Sequence, residues 1–381
     1  MSAAHQIEAR ARQLFREVYG YPPAAVAVAP GRMNIIGEHT DYNGGWVLPA
    51  AIDRFIGVAF RERRDTQVML RSERYPPIDF SKLPDSKQGT WPDYIVGVAR
   101  ELEGRPGLRQ GFDLLVTSDL PTGSGLSSSA ALEVAFAVAY LEAGGRSMPP
   151  ADLAALCQRA ENVFVGARTG IMDQFTALSA RAGNAILLDC RTLQAEDIPM
   201  PDGRHAFLLV DSKVRRDLAA SAYNERRSEC ERAAAALGVK SLRDAAETDL
   251  ERLEDPLLRR RARHVITENR RVLAAAAALR RRDAEALAPL LAASHESLRD
   301  DFQVSCPELD LLVTLALESP RVVGARMMGG GFGGSVIVLV EAAAIEDLEQ
   351  HLQIGYADAV HKSPEFHRVR SVDGTMPARS H

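Results

Sequence analysis

Residues 120–130 read LPTGSGLSSSA, two spaced glycines and then three consecutive serines at the mouth of an apolar stretch. Glycine admits positive φ and lets a bound group approach the backbone with no Cβ in the way. A helix N-terminus adds unpaired N–H groups and a partial positive charge. Strand, Gly-Ser-Gly loop and helix in that order therefore read as an anion site, phosphate above all, with a serine-capped tight turn as the plain alternative. Two phosphate motifs are excluded directly: there is no Gly-x-x-x-x-Gly-Lys-Ser/Thr, and Ser128 stands where a dinucleotide fingerprint needs its third glycine. The serine hydroxyls also offer neutral oxygens to a magnesium ion, which keeps several waters and takes only one or two carboxylates. Glu161 on the following helix is the candidate carboxylate; its alternative reading is an exposed helix acid.

Outward from this loop, strands are expected at 113–118 before it and, earlier, at 25–29 (AVAVA), 56–60 and 67–71. The pair Pro30-Gly31 reads as the end of the first strand, leaving Arg32 to Gly45 as loop. After the loop a helix runs from Ser127 to about Glu142 and stops at Gly144-Gly145. Pro149-Pro150 opens another through about Val165, proline being tolerated in a first turn. NAILLDC and HAFLLVD read as buried strands. From Ala219 to about Ser297 the chain is helix-forming, broken by Gly238, Pro256 and Pro289. This shift in composition places a domain boundary near residue 200, giving domains 1–199 and 200–381. GARMMGGGFGGSVIVLV reads as strand, Gly-rich turn and strand, so the second half is α+β as well.

The 381 residues exceed the roughly 250–300 that one core serves, so two domains with a cleft are expected. With 46% hydrophobic and 25% charged residues the composition is that of a soluble globular protein. A formal net charge of −5 leaves no basic surplus for nucleic acid. The arginine clusters 259–263 and 280–282 read as solvated helix faces. The four cysteines (Cys157, Cys190, Cys230, Cys306) show neither zinc spacing nor a disulfide framework, which fits a reducing cytoplasm. The N-terminal MSAAHQIEARARQLFREV is an amphipathic helical pattern rather than a secretory signal, and the longest apolar run is too short to cross a bilayer.

Two further stretches are unusual. PGRMNIIGEHTDYN (30–43) packs Arg32, Glu38, His39 and Asp41 into ten residues without apolar periodicity, as recognition of a polyhydroxylated ligand would require. MMGGGFGG (327–334) holds five glycines in eight residues, a backbone left bare for close approach or a flexible hairpin turn. Together with GIMDQF (170–175), and in this order, these motifs resemble the galactokinase family of the GHMP kinase superfamily over essentially the whole chain. The signature segment is matched at Gly31–Asn43 and Val47–Pro49, the nucleotide loop at Gly123–Ala130, and the late glycine loop at Gly329–Gly334. Met328 departs from the threonine usual before the triple glycine and bears on the packing of that loop.

The resemblance implies an α+β, two-domain GHMP kinase fold with the active site in the interdomain cleft, and ATP-dependent phosphorylation of the anomeric C1 hydroxyl of galactose to galactose 1-phosphate, the entry step of galactose catabolism. Its other readings are a kinase for N-acetylgalactosamine or arabinose, or a non-catalytic galactose sensor. It implies that Gly123, Ser124, Gly125, Leu126, Ser127, Ser128 and Ser129 wrap the ATP phosphates, that Ser129 and Glu161 hold Mg2+, and that Ser72 and Trp91 approach the nucleotide. Glu38, His39, Asp41, Gly170 and Tyr223 match sugar-contacting positions. Asp173 matches the base that takes the hydroxyl proton, and Arg32 the residue beside it that counters developing charge. Read alone, Asp173 could be an N-cap and His39 a structural histidine. No nucleic-acid or membrane partner is expected; the chain is expected to be a cytoplasmic monomer or weak homodimer.

Overall fold

The computed structural model describes residues 2–103, 111–121, 123–215 and 219–377, so Thr122 of the Gly/Ser loop lies outside them. Helix α1 (Ala3–Tyr19) leads into β1 (Ala25–Asn34), β2 (Trp46–Val47), β3 (Pro49–Glu62), β4 (Val68–Ser72), β5 (Ile78–Phe80), α2 (Pro92–Leu102) and β6 (Phe112–Ser118). Then come α3 (Ser128–Ala143), α4 (Pro150–Arg159), α5 (Met172–Ser179), β7 (Asn184–Asp189), β8 (Ala195–Pro199) and β9 (His205–Asp211). The rest comprises α6 (Ala219–Leu237), α7 (Pro256–Arg280), α8 (Ala288–Asp300), α9 (Pro307–Leu317), β10 (Val322–Met328), β11 (Ser335–Glu341), α10 (Ile345–Val360), β12 (Glu365–Arg368) and β13 (Met376–Pro377).

The first sheet has the order β13-β1-β3-β6-β4-β5. Alternation along β1 decides what covers it, because successive side chains point to opposite faces. Val26 packs with Ala11 and Phe15 of α1, while Ala25, Ala27 and Ala29 face the core that holds α3. Those alanines are small, so α3 lies close against the sheet. That helix is apolar nearly all round, from Ala130 to Leu141, as a helix enclosed on every side must be. Each fully buried Phe or Leu here contributes about 1.5–3 kcal/mol.

The second large sheet, β10-β11-β9-β12, is antiparallel, and its two faces enter different cores. Leu208, Val210, Val336, Val338 and Met327 pack with α6, α9 and α10, whereas Phe207, Leu209, Ile337, Leu339 and Met328 join the core of the first sheet. This shared core fixes the late glycine loop, between β10 and β11, against the first sheet. The small third sheet, β2-β7-β8, lies beside them.

Two expectations are corrected. Pro30-Gly31 does not end the first strand: β1 continues to Asn34 through a register shift between Pro30 and Arg32, because β3 is long enough to keep pairing beyond the bulge. At Gly31 a Cβ would lie 2.8 Å from the Leu126 carbonyl, so glycine lets the Gly/Ser loop rest on this strand. The cluster 259–263 is not wholly a solvated face either. Arg261 is buried, donating to Glu229, to the Asp301 carbonyl and to Gln303, partners from elsewhere in the chain that compensate its desolvation.

Candidate active site

A cavity of about 290 Å³ opens where β1, the Gly/Ser loop, the segment before α5, α6 and the late glycine loop converge. Its lining includes Arg32, Glu38, His39, Asp41, Gly123, Gly125, Leu126, Ser127, Ser128, Ser129, Gly170, Asp173 and Tyr223; Ser124 is buried behind it. Gly123 and Gly125 have φ of +72° and +76°, conformations that glycine adopts without strain. The two glycine-rich loops face each other: Gly329 approaches Gly125, and the Ser335 hydroxyl donates to the Ser124 carbonyl at 2.6 Å. Arg215, held by both oxygens of Asp211, lies against Gly123.

Helix α3 begins at Ser128, one residue later than expected. Ser127 sits outside it with φ of +59°, and its hydroxyl donates to Asp173 instead of capping the helix. Asp173 stands in the first turn of α5. Arg32 grips it as a fork, Nε to Oδ1 at 2.8 Å and Nη2 to Oδ2 at 3.0 Å, while Nη1 donates to the Gly125 carbonyl. Arg32 is buried and Asp173 is partly open to the cavity.

On the opposite wall Glu38 is tied at both oxygens, Oε1 by the Gly329 N–H at 3.0 Å and Oε2 by Arg326. Arg326 is fully buried and also donates to the carbonyls of Asn34, Ile35 and Met327. Burial raises the Glu38 pKa, and Arg326 and the Gly329 amide oppose it. His39 bridges the Tyr42 hydroxyl (2.8 Å) and the Gly330 carbonyl (3.2 Å); burial, aided by His264, pushes its pKa down to about 3, so the ring is neutral. The Tyr223 ring lies 5.2 Å from that of His39. A Cβ on Gly170 would fall 2.0 Å from Asp41 Oδ2, so only glycine leaves this carboxylate its place. Met328 is buried with its sulfur on the Asn34 N–H, and the Asn34 amide group, Oδ1 and Nδ2, has no partner among the described residues.

Burial, with the nearby Asp173 charge second, pushes the Asp41 pKa up to about 6. A raised carboxyl pKa means that the folded state holds a proton the unfolded chain has released, so the ionised group destabilises the fold. The cost is absent below about pH 4, grows to about pH 6 and then stays constant. Asp41→Asn is therefore expected to raise thermal stability by about 1–3 kcal/mol at pH 7, an advantage that vanishes on acidification to pH 4. Melting curves across this range check it; a pH-independent difference contradicts it.

Glu161 occupies a π-helical turn, 160–165, a distortion common at functional sites. Its Oε2 accepts from Thr169 (2.7 Å) and Gln174 (2.9 Å), and Ser129 also bonds to it. Gln174 donates as well to Glu133, a second buried carboxyl whose pKa burial raises strongly. A hydroxyl and a carboxylate held together beside the Gly/Ser loop form an oxygen donor set of the hard kind that suits Mg2+.

A second cavity, of about 160 Å³, shares Ser128 and Ser129 with the first and is lined by Ser72, Tyr75, Trp91 and Tyr94. The rings of Tyr75 and Trp91 are stacked 6.1 Å apart, and the buried Trp91 Nε1 has no partner among the described residues. The structure thus brings every expected residue to one of two adjoining cavities or, for Glu161 and Ser124, directly behind their walls. Sequence reasoning did not single out Arg326, Thr169 or Gln174. Gln174 lies within GIMDQF, where an amide inside an otherwise apolar stretch is the available signal.

Fold and site together define a class of small-molecule kinase. Residues 93–181 match the model of the GHMP kinases N terminal domain and residues 275–358 that of the GHMP kinases C terminal domain, so the chain has the two-domain fold of that superfamily. Methanococcus jannaschii mevalonate kinase, 18% identical, shares the fold with a TM-score of 0.64. Residues 13–62 match the galactokinase galactose-binding signature. The chain is 43% identical to the galactokinase of Roseiflexus sp. over 95% of both chains, and 41% identical to human galactokinase over 97% of this chain and 96% of that one. Lactococcus lactis galactokinase, solved in complex with galactose, is 33% identical with a TM-score of 0.92, over 97% of this chain and 99% of that one. The chain belongs to the galactokinase family.

Proposed function

We propose that this chain transfers the γ-phosphoryl group of ATP to the anomeric C1 hydroxyl of α-D-galactose. The observation that carries this reading is the Arg32–Asp173 pair, fixed between the Gly/Ser loop and the wall formed by Glu38, His39, Asp41 and Tyr223. Phosphoryl transfer depends on positioning and charge neutralisation, and the parts are arranged for both. The adenine lies in the cavity of Ser72 and Trp91, the phosphates run along Gly123–Ser129, and the sugar occupies the larger cavity. The Asp173 carboxylate accepts the C1 hydroxyl proton, held by Arg32 and the Ser127 hydroxyl, while Arg32 counters charge developing on the transferred group. Ser129 and Glu161 hold Mg2+, which neutralises phosphate charge when bound. Glu38, His39, Asp41, Tyr223 and the bare backbone at Gly170 hold the sugar hydroxyls.

We further propose a division into domains 1–199 and 200–381. No helix among the described residues is long and apolar enough to cross a membrane. The four cysteines Cys157, Cys190, Cys230 and Cys306, which have neither zinc spacing nor a disulfide framework, support a cytoplasmic setting, and we propose a monomer or weak homodimer there. Purified protein with ATP and a panel of galactose, N-acetylgalactosamine, arabinose and glucose, followed by ADP release, tests the function. Turnover highest with galactose is expected; faster turnover of another sugar, or none of any, overturns the reading.

A further inference from the structure

The segment 166–170 joins the π turn bearing Glu161 to the helix bearing Asp173, and it presents Thr169 and Gly170 to the larger cavity. Tyr223, on α6, lines the same cavity from the other half of the chain. What sets the separation of these walls is a dense set of polar contacts between the segment and one face of α6. Asn224 holds the segment at two backbone points, its Oδ1 accepting from the Arg168 N–H (3.0 Å) and its Nδ2 donating to the Gly166 carbonyl (3.2 Å). The Arg168 side chain reaches across to Ser228 (3.0 Å) and to both oxygens of Glu231 (2.6 and 2.8 Å). Arg227 closes the circuit, bonding to Glu231 through Nε (3.1 Å) and donating through Nη1 to the Arg168 carbonyl (2.8 Å).

We propose that Arg168 and Glu231 are positioning residues that clamp this segment to α6 and thereby set the affinity for the sugar; this rests on the functional reading above. A single exposed ion pair would do little, because solvent screens it and two long side chains must be ordered. Here Glu231 is shared by two guanidiniums, one of which also holds the backbone of the segment, so the elements are fixed at several points and not at one. Thr169 keeps anchors of its own, its hydroxyl on Glu161 (2.7 Å) and its carbonyl under Gln158 and Asn162 (both 3.2 Å), so the residue that moves when the clamp is released is Gly170. Gly170 is packed directly against the Asp41 carboxylate, so the effect falls on the sugar wall. The Arg32–Asp173 fork is anchored separately, to β1 and the Gly/Ser loop, and the aromatic cavity touches none of these residues.

The test is steady-state kinetics on Arg168→Ala, Glu231→Gln, the double variant and Arg168→Lys, with melting temperature as the folding control. Each single variant is expected to raise KM for galactose about three- to tenfold, while kcat and KM for ATP change less than about twofold. The double variant should be no worse than the weaker single one, since both remove the same clamp. Arg168→Lys, which keeps the charge without the fork, should recover part of the affinity. Added salt should raise the parent KM for galactose more than that of Arg168→Ala. An unchanged KM for galactose in Arg168→Ala, or a parallel loss in kcat and in KM for ATP, overturns the clamp. Absence of turnover of galactose by the parent overturns the functional reading and the clamp together, whereas a normal parent with unmoved variants overturns the clamp alone.

Discussion

Asp173→Asn lowers kcat by about 10²–10⁴-fold, the usual contribution of a positioned general base, while the protein still folds. The geometry makes the substitution informative. The Asp173 carboxylate accepts from Arg32 at both oxygens and from the Ser127 hydroxyl. Asparagine offers one acceptor oxygen and an NH2 group that meets one of these donors head on, so it removes the proton acceptor and turns one of the holding groups away. Arg32→Ala is expected to reduce kcat comparably, because it removes the cation beside the transferred group and releases Asp173 and the Gly125 carbonyl together. Single-turnover kinetics with galactose and ATP, alongside circular dichroism, measure both. Near-normal turnover in either variant would sink the assignment of the pair.

Arg326→Met destabilises the protein by about 3–5 kcal/mol, the cost of leaving one member of a buried ion pair without its partner. Arg326 is entirely enclosed, its donors are committed to Glu38 and to the carbonyls of Asn34 and Ile35 at the end of β1 and of Met327 in β10, and Glu38 is almost as deeply buried. Without the guanidinium the Glu38 carboxylate retains, among the described residues, the Gly329 amide alone. Sugar affinity should fall with stability, since Glu38 lines the cavity. Arg326→Lys keeps the charge without the fork and should fall between the two. Chemical denaturation of the three proteins decides; a midpoint for Arg326→Met equal to that of the parent contradicts the account.

The parts of this molecule that were legible in its sequence are those whose physics is local. Alternating small and branched residues mark β1, the Gly144-Gly145 pair ends α3 as expected, and glycines with positive φ belong to the Gly/Ser loop itself. What escaped depends on partners far away in the chain. Pro30-Gly31 punctuates a strand when read alone, yet the strand persists because β3 supplies hydrogen bonds on the far side of the bulge. An arginine in GARMM gives no sign that it is enclosed, because the carboxylate and carbonyls that make this tolerable come from residues 34–38. The same holds for Arg261 within its basic cluster, and for Ser127, whose left-handed backbone aims its hydroxyl at an acid on another helix.

Strand β13 lies at the edge of the first sheet, with Ala27 opposite Pro377 and Val28 opposite Met376, and the approach to it is fastened by Ser371 beside Ile52 and by the Gly374 N–H on the Ala180 carbonyl. During synthesis on the ribosome β1 is made before residues 371–377, and among the described residues its outer edge pairs with no strand until they emerge. An open edge invites pairing with other chains, so the interval between the two events is the time when a nascent molecule is most exposed to misassociation. The first sheet is covered at this edge by a segment remote in the chain, and a chain lacking residues 371–377 would carry that edge unpaired.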